Sequence, residues 1–196
     1  FTALLVSAVA AKLGTEAVDA GARRRLERSL GAVDTPHHKG KLGALLLSQG
    51  KARRAIPLLE AASEGDPSSL ELRYRLGEAR LRAGGDPEGA LEALDSVLQE
   101  DEEYAYGGAM LRSVEAARAA RQWEGALERV KRLERNHGET PESAMLRARI
   151  LRAAGDVESA RRAFDEVVPL AAVSGRGGAS RTWTWRLRTM LARSFG

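Results

Sequence analysis

Cysteine is absent from the chain, so it has no disulfide framework and no thiolate chemistry. Aromatics are scarce, with three each of Phe, Trp and Tyr among 196 residues. That suits a thin, surface-rich architecture better than one large core. Histidine is limited to His37, His38 and His137. The first two are adjacent, so on a helix they diverge by about 100° and cannot chelate as an i, i+4 pair would. Gly-rich SGRGGAS, residues 174–180, lacks the Gly-Lys-Ser/Thr ending and preceding strand of a phosphate loop. The acidic run Asp101-Glu102-Glu103 falls at a helix end and reads as solvated surface. These absences lead to an expectation of a non-catalytic protein with no cofactor and no metal.

The longest uncharged apolar run is FTALLVSAVAA, residues 1–11. As a helix it measures about 16 Å, roughly half a bilayer core. Lys12 and the Arg23-Arg24-Arg25 cluster follow it. Three readings stand for it: the end of a membrane anchor, a helix covering the first repeat, or a signal-peptide remnant. Residues 15–35 read as a basic helix and linker.

What the sequence does have is a period. Ala55, Ala90, Ala126 and Ala160 are 35, 36 and 34 residues apart. Each begins an apolar ladder with four-then-three spacing: Ala55, Leu59, Ala62; Ala90, Leu94, Val97; Ala126, Val130, Leu133; Ala160, Phe164, Val167. Such spacing is one face of a helix. Twelve residues before Ala55 stands Gly43, flanked by Leu42 and Leu46. Corresponding sets are Leu76, Gly77, Arg80, then Ser113, Val114, Ala117, then Arg147, Ala148, Leu151. Between the two ladders lies a turn with Gly50, Gly84-Gly85 or Gly155, and in the third unit Arg121-Gln122-Trp123. Thr35-Pro36, Asp86-Pro87 and Thr140-Pro141 read as helix starts, with the first residue as N-cap and Pro at the first helical position. Pro57 falls early in a helix, and Pro169 is expected to bend or end the last repeat helix.

Each unit is therefore helix, turn, helix. In Leu42-Gly43-x2-Leu46, Ala55-x3-Leu59 and Pro67 the chain resembles the tetratricopeptide repeat (TPR) family. The family's Trp near each unit start is replaced by Lys39, Arg73, Met110 and Ala144, and Ala105 and Tyr106 separate the second and third units. The resemblance implies an all-α, right-handed α-solenoid of antiparallel helix pairs, with units at 36–69, 70–104, 107–140 and 141–174 and flanking N- and C-terminal helices. Residues 1–14 would be the apolar N-terminal helix. Residues 175–196 would be a Gly-rich linker and a basic, Trp-containing helix. There Trp183, Leu187, Met190, Leu191 and Phe195 fall partly on one face, as an end cap, as a helix for anionic lipid, or as a partner-binding helix.

In this family the first helix of each unit lines the concave face. By register, unit one contributes His37, Gly40, Lys41, Ala44 and Leu47. Unit two contributes Glu71, Tyr74, Arg75, Glu78 and Arg82, and unit three Leu111, Arg112, Glu115 and Arg118. Unit four contributes Glu142, Met145, Arg149 and Arg152. The family's carboxylate clamp is not matched: Gly40 and Ala44 fill its first two sites, Arg75 replaces an Asn, and Arg112 alone agrees. What remains is an Arg-rich groove with Tyr74 and Met145 as apolar anchors. The expected partner is a protein or peptide, acidic or mixed in character, because Arg forks pair with carboxylates and stack on planar groups.

Net charge is +4, with 26 Arg against 5 Lys. The alternative function is a nucleic-acid binder through Arg-rich helices, although Glu interleaves throughout and no nucleic-acid module is present. The overall arrangement resembles bacterial membrane-anchored TPR proteins. That resemblance implies an inner-membrane location with the array facing the cytoplasm, or a soluble cytoplasmic protein, and contact of the two ends with anionic lipid.

Overall fold

A computed structural model of the chain describes Gly21, Arg28, residues 35–173 and residues 179–195, without the side chains of 179–183 and 193–195. The expectations for residues 1–14, for all but Gly21, Arg28 and Thr35 of 15–35, and for the Gly-rich linker at 174–178 lie outside the described residues. Among the described residues all regular structure is helical. The chain divides into two compact units, residues 1–83 and 84–196.

In the first unit, α1 (Pro36–Ser48), α2 (Ala52–Gly65) and α3 (Leu70–Ala83) pack in sequence. α1 begins where Thr35 Oγ1 accepts a hydrogen bond from His38 N, with Pro36 next to the cap. This is the expected start signal, and it satisfies one amide that a helix N-terminus leaves open. The ladder Ala55, Leu59, Ala62 is fully buried against Leu42, Leu46, Leu72 and Leu76. Gly43 sets the α1–α2 approach: a Cβ there would lie 2.7 Å from Leu59 Cγ. Any side chain would push the two helices apart. Pro57 sits inside α2, where the missing N–H falls near the helix start.

The second unit contains α4 (Pro87–Glu100), α5 (Gly108–Ala119), α6 (Trp123–His137), α7 (Pro141–Ala153), α8 (Val157–Val173) and α9 (Ala179–Phe195). Asp86 caps α4 through Gly89 N at 2.9 Å. Thr140 and Ser143 form a reciprocal capping box on α7. All three ladders of this unit are buried, on α4, α6 and α8. α8 does not stop or break at Pro169 but continues to Val173, because Pro removes one helical hydrogen bond without barring the turns beyond it.

Three of the turns within the repeats, after α1, α5 and α7, share one geometry. After α1, Gly50 N donates to Leu47 O at 3.0 Å and Lys51 N to Leu46 O at 2.9 Å. After α7, Gly155 N and Asp156 N bond Arg152 O and Leu151 O in the same way. This paired pattern closes a helix through a left-handed residue, usually Gly. After α5 the left-handed position belongs to Arg121, at φ 60°, with Arg121 N to Arg118 O and Gln122 N to Ala117 O. The third unit thus keeps the turn without the Gly, at a steric cost of about 1–2 kcal/mol.

Ala105 and Tyr106, the extra residues before α5, also have positive φ, and Gly107 follows at φ 79°. Tyr106 is 99 % exposed. This turn is held to α6 by Arg132 and Asn136 on Glu102, and by His137 on Glu103 at 3.2 Å. Arg132 and Asn136 hold the Glu102 carboxyl below its ordinary range.

α9 packs on α8 and α7, in the place where the first helix of a further repeat would follow. Trp185, Thr189 and Ala192 form its buried face, and Leu187, Met190 and Leu191 are exposed. Packing on α8 therefore selects a different stripe from the Leu187–Met190–Leu191 face noted in the sequence. The side chains of Trp183 and Phe195 lie outside the described residues. Among the described residues no helix is long and apolar enough to cross a membrane.

Candidate functional site

The register residues of the first helices are not equivalent. On α3, Arg75 Nε donates to Glu71 at 2.5 Å and Arg82 Nη2 to Glu78 at 2.7 Å, each pair one helical turn apart. Arg82 also reaches Leu47 O at 3.4 Å. Tyr74 is half-buried beside them. On α5, Arg112 pairs with Glu115 at 2.6 Å. On each of these two helices the guanidinium groups named already have a carboxylate. Exposed i, i+4 pairs of this kind contribute about 0.3–0.5 kcal/mol.

Met145 is not an exposed anchor. It is 5 % exposed and packs with Ala148, Phe164, Val167 and Trp185. α9 covers this side of α7, which converts a surface register position into core. Gly40 and Leu47 of α1 are buried as well, Gly40 because Leu72 closes over it.

Arg118, Arg149 and Arg152 are brought together. They line one cavity of about 550 Å³ with Ala153, Phe164, Arg188, Leu191 and Ala192. Among the described residues no Asp or Glu lines it. Arg118 comes from the last turn of α5 and Arg152 from the last turn of α7, where helix ends favour cations. Arg152 Nη1 donates to Ala192 O at 2.5 Å, which satisfies a carbonyl near the end of α9 and ties α9 to α7. Arg188 lies over the Trp185 ring, 5.1 Å from its centroid. Because Trp185 is anchored in the core, the guanidinium is oriented from below. Arg118 Nε is buried and has no hydrogen-bond partner among the described residues. Phe164 and Leu191 supply apolar wall beside the four guanidinium groups.

Arg188, Phe164 and Leu191 were not among the register positions. Phe164 belongs to the ladder of α8, and Arg188 to the C-terminal helix, whose sequence leaves end cap, lipid contact and partner binding open. One signal for Arg188 was present: residues 174–196 contain several Arg and no acidic residue.

A larger cleft, about 860 Å³, lies beside α4, α5 and α6 and is lined by acids and arginines together. There Arg129 forks onto Asp95 at 2.6 and 2.8 Å, so its principal charges cancel. Arg147, at the register position of Leu42, is bound by Glu134, Glu139 and Glu166. Burial alone would lower its pKa, but attraction to these carboxylates outweighs burial and raises it. Among the described residues no group of three His, Asp or Glu is arranged to hold a metal ion.

Comparison with known proteins agrees with this architecture. A crystal structure of MamA aligns with TM-score 0.71 and 19 % identity, covering 85 % of this chain and 96 % of that one. MamA 41-end from Desulfovibrio magneticus RS-1 gives 0.71 and 19 %, over 81 % of this chain and 88 % of that chain. TTC0263, a thermophilic TPR protein in Thermus thermophilus, gives 0.54 and 19 %, over 81 % and 99 %. At that identity the likeness concerns the fold, an all-α helical-repeat solenoid. No curated protein matches the chain. Tetratricopeptide repeat models match residues 41–105 and 81–150, which together span more than half of the sequence. The chain belongs to the tetratricopeptide repeat family.

Proposed function

We propose that this protein is a non-catalytic interaction scaffold that docks an acidic segment of a protein partner at the arginine-lined pocket of α5, α7 and α9. TPR membership supports protein binding in general. One observation carries the specific reading: the register arginines Arg118 and Arg149 share a pocket with no Asp or Glu among its described lining residues, whereas those on α3 are neutralised by their own helix. An acidic side chain entering the pocket supplies the missing counter-charge, and Phe164 and Leu191 accept an aliphatic neighbour. Charge-assisted forks of this kind are shorter and stronger than neutral hydrogen bonds.

The test uses a fluorescein-labelled peptide of alternating Glu and Leu, titrated with the full chain by anisotropy. The double variant Arg118→Glu/Arg149→Glu is expected to weaken binding at least tenfold, about 1.4 kcal/mol. Binding should also fall as salt rises. Unchanged affinity in the double variant, or equal binding of a Lys–Leu peptide, would remove the basis for this assignment.

A further inference from the structure

We infer that the group this pocket selects is a phosphomonoester carried on the partner, such as a phosphorylated serine, in preference to a lone carboxylate. The inference rests on the acidic-partner reading and sharpens its chemistry.

The argument is one of charge and of donors. Arg118, Arg149 and Arg188 bring three positive charges to one cavity with no Asp or Glu among its described lining residues, while Arg152 beside them is engaged with Ala192 O. The ends of α5 and α7 offset part of this, at about half a negative charge per helix terminus. Roughly two positive charges remain. A side-chain carboxylate supplies one negative charge, whereas a phosphomonoester supplies about two and presents three acceptor oxygens.

The donors are directed from several elements. Arg118 lines the pocket from α5, its Nε buried without a hydrogen-bond partner among the described residues. Arg188 is held over Trp185, so it reaches the pocket from the α9 side. Arg152 is positioned by its bond to Ala192 O. Arg149 is exposed on α7, between them in the lining. Guanidinium groups converging from three helices suit a tetrahedral anion better than a planar one, which a single fork satisfies. The volume, about 550 Å³, is within the range of small-ligand sites and exceeds what one anion needs. Phe164 and Leu191 can then hold an aliphatic residue next to the phosphorylated one. Recognition of phosphorylated segments by Arg clusters follows the same physics.

The experiment compares three labelled peptides of one sequence, with Leu on both sides of a central serine, phosphoserine or glutamate. Each is titrated with the full chain at constant salt. The phosphoserine peptide is expected to bind at least tenfold tighter than the glutamate peptide, and the serine peptide weakest. Arg149→Gln and Arg188→Gln should each reduce phosphoserine binding at least fivefold with the helical circular dichroism unchanged. Arg161→Gln, which removes an exposed charge of α8 outside the pocket lining, should change it less than twofold.

Equal affinity for phosphoserine and glutamate peptides would refute the phosphate preference and leave the acidic-partner reading intact. Failure of both peptides to bind would overturn both. Equal losses in R161Q and R149Q would show that net charge, not this pocket, does the binding. If inorganic phosphate alone saturates the site as tightly as the phosphopeptide, read by Trp fluorescence, the group is a free phosphate and its protein-borne source is refuted.

Discussion

Arginines of α3 and arginines around α9 are the same residue type on the same class of repeat helix, yet they meet opposite surroundings. In the first unit Arg75 and Arg82 each follow a glutamate by four residues and pair with it. In the second unit, position i−4 is Val114 for Arg118, Met145 for Arg149, Ala148 for Arg152 and Thr184 for Arg188. None of these can neutralise a guanidinium. On the proposed reading, an Arg-rich face serves as a docking surface only where its own helix withholds the counter-ion. Nearby Glu115 is taken by Arg112 and does not relieve Arg118.

The largest test of this contrast is to the packing that holds the pocket in place. Phe164 is 3 % exposed and lies beneath it, in contact with the cluster that seats Trp185. Phe164→Ala should cost about 3–5 kcal/mol, through lost burial and a residual cavity. All three tryptophans, Trp123, Trp183 and Trp185, belong to residues 84–196, so Trp fluorescence in urea reads this unit alone. An unmoved transition would mean that Phe164 does not support the α9 side of the pocket.

A smaller effect of opposite sign is expected at the turn. Gly50 and Arg121 hold the same left-handed position in the two units. Arg121→Gly should stabilise the second unit by roughly 1 kcal/mol, since relief of the Cβ clash exceeds the added chain entropy of glycine. A loss of stability in the same urea assay would show that Arg121 contributes more through its side chain than its backbone costs.

The smallest effect belongs to α3. Arg75→Gln/Arg82→Gln should change affinity for the Glu–Leu peptide less than twofold, because those guanidinium groups already have carboxylate partners. A loss comparable to that of R118E/R149E would collapse the distinction between the two regions.

Much of the fold could be read from the chain. The Ala-led ladders on α2, α4, α6 and α8 follow from a four-then-three spacing that only one helical face can satisfy. The starts at Thr35, Asp86 and Thr140 follow from side chains that cap amides and prolines that need none. The site was legible only in part. Register brought Arg118, Arg149 and Arg152 into one list with Arg75, Arg82 and Arg112, but register carries no information about neighbouring helices. Met145 shows the same limit: its exposure depended on whether another helix would cover α7, and one does.

By itself the sequence determined the helix-turn-helix period, the buried ladders and the close approach at Gly43, because these depend on spacing along one chain and on side-chain size. Tertiary structure alone decided which stripe of α9 is buried, that Met145 belongs to the core, and which arginines share a cavity. Those outcomes depend on which surfaces meet across sequence separations of 24 to 70 positions: Phe164 to Arg188 at the near end, Arg118 to Arg188 at the far end. No local periodicity encodes that meeting, since burial of a face is set by the partner that covers it.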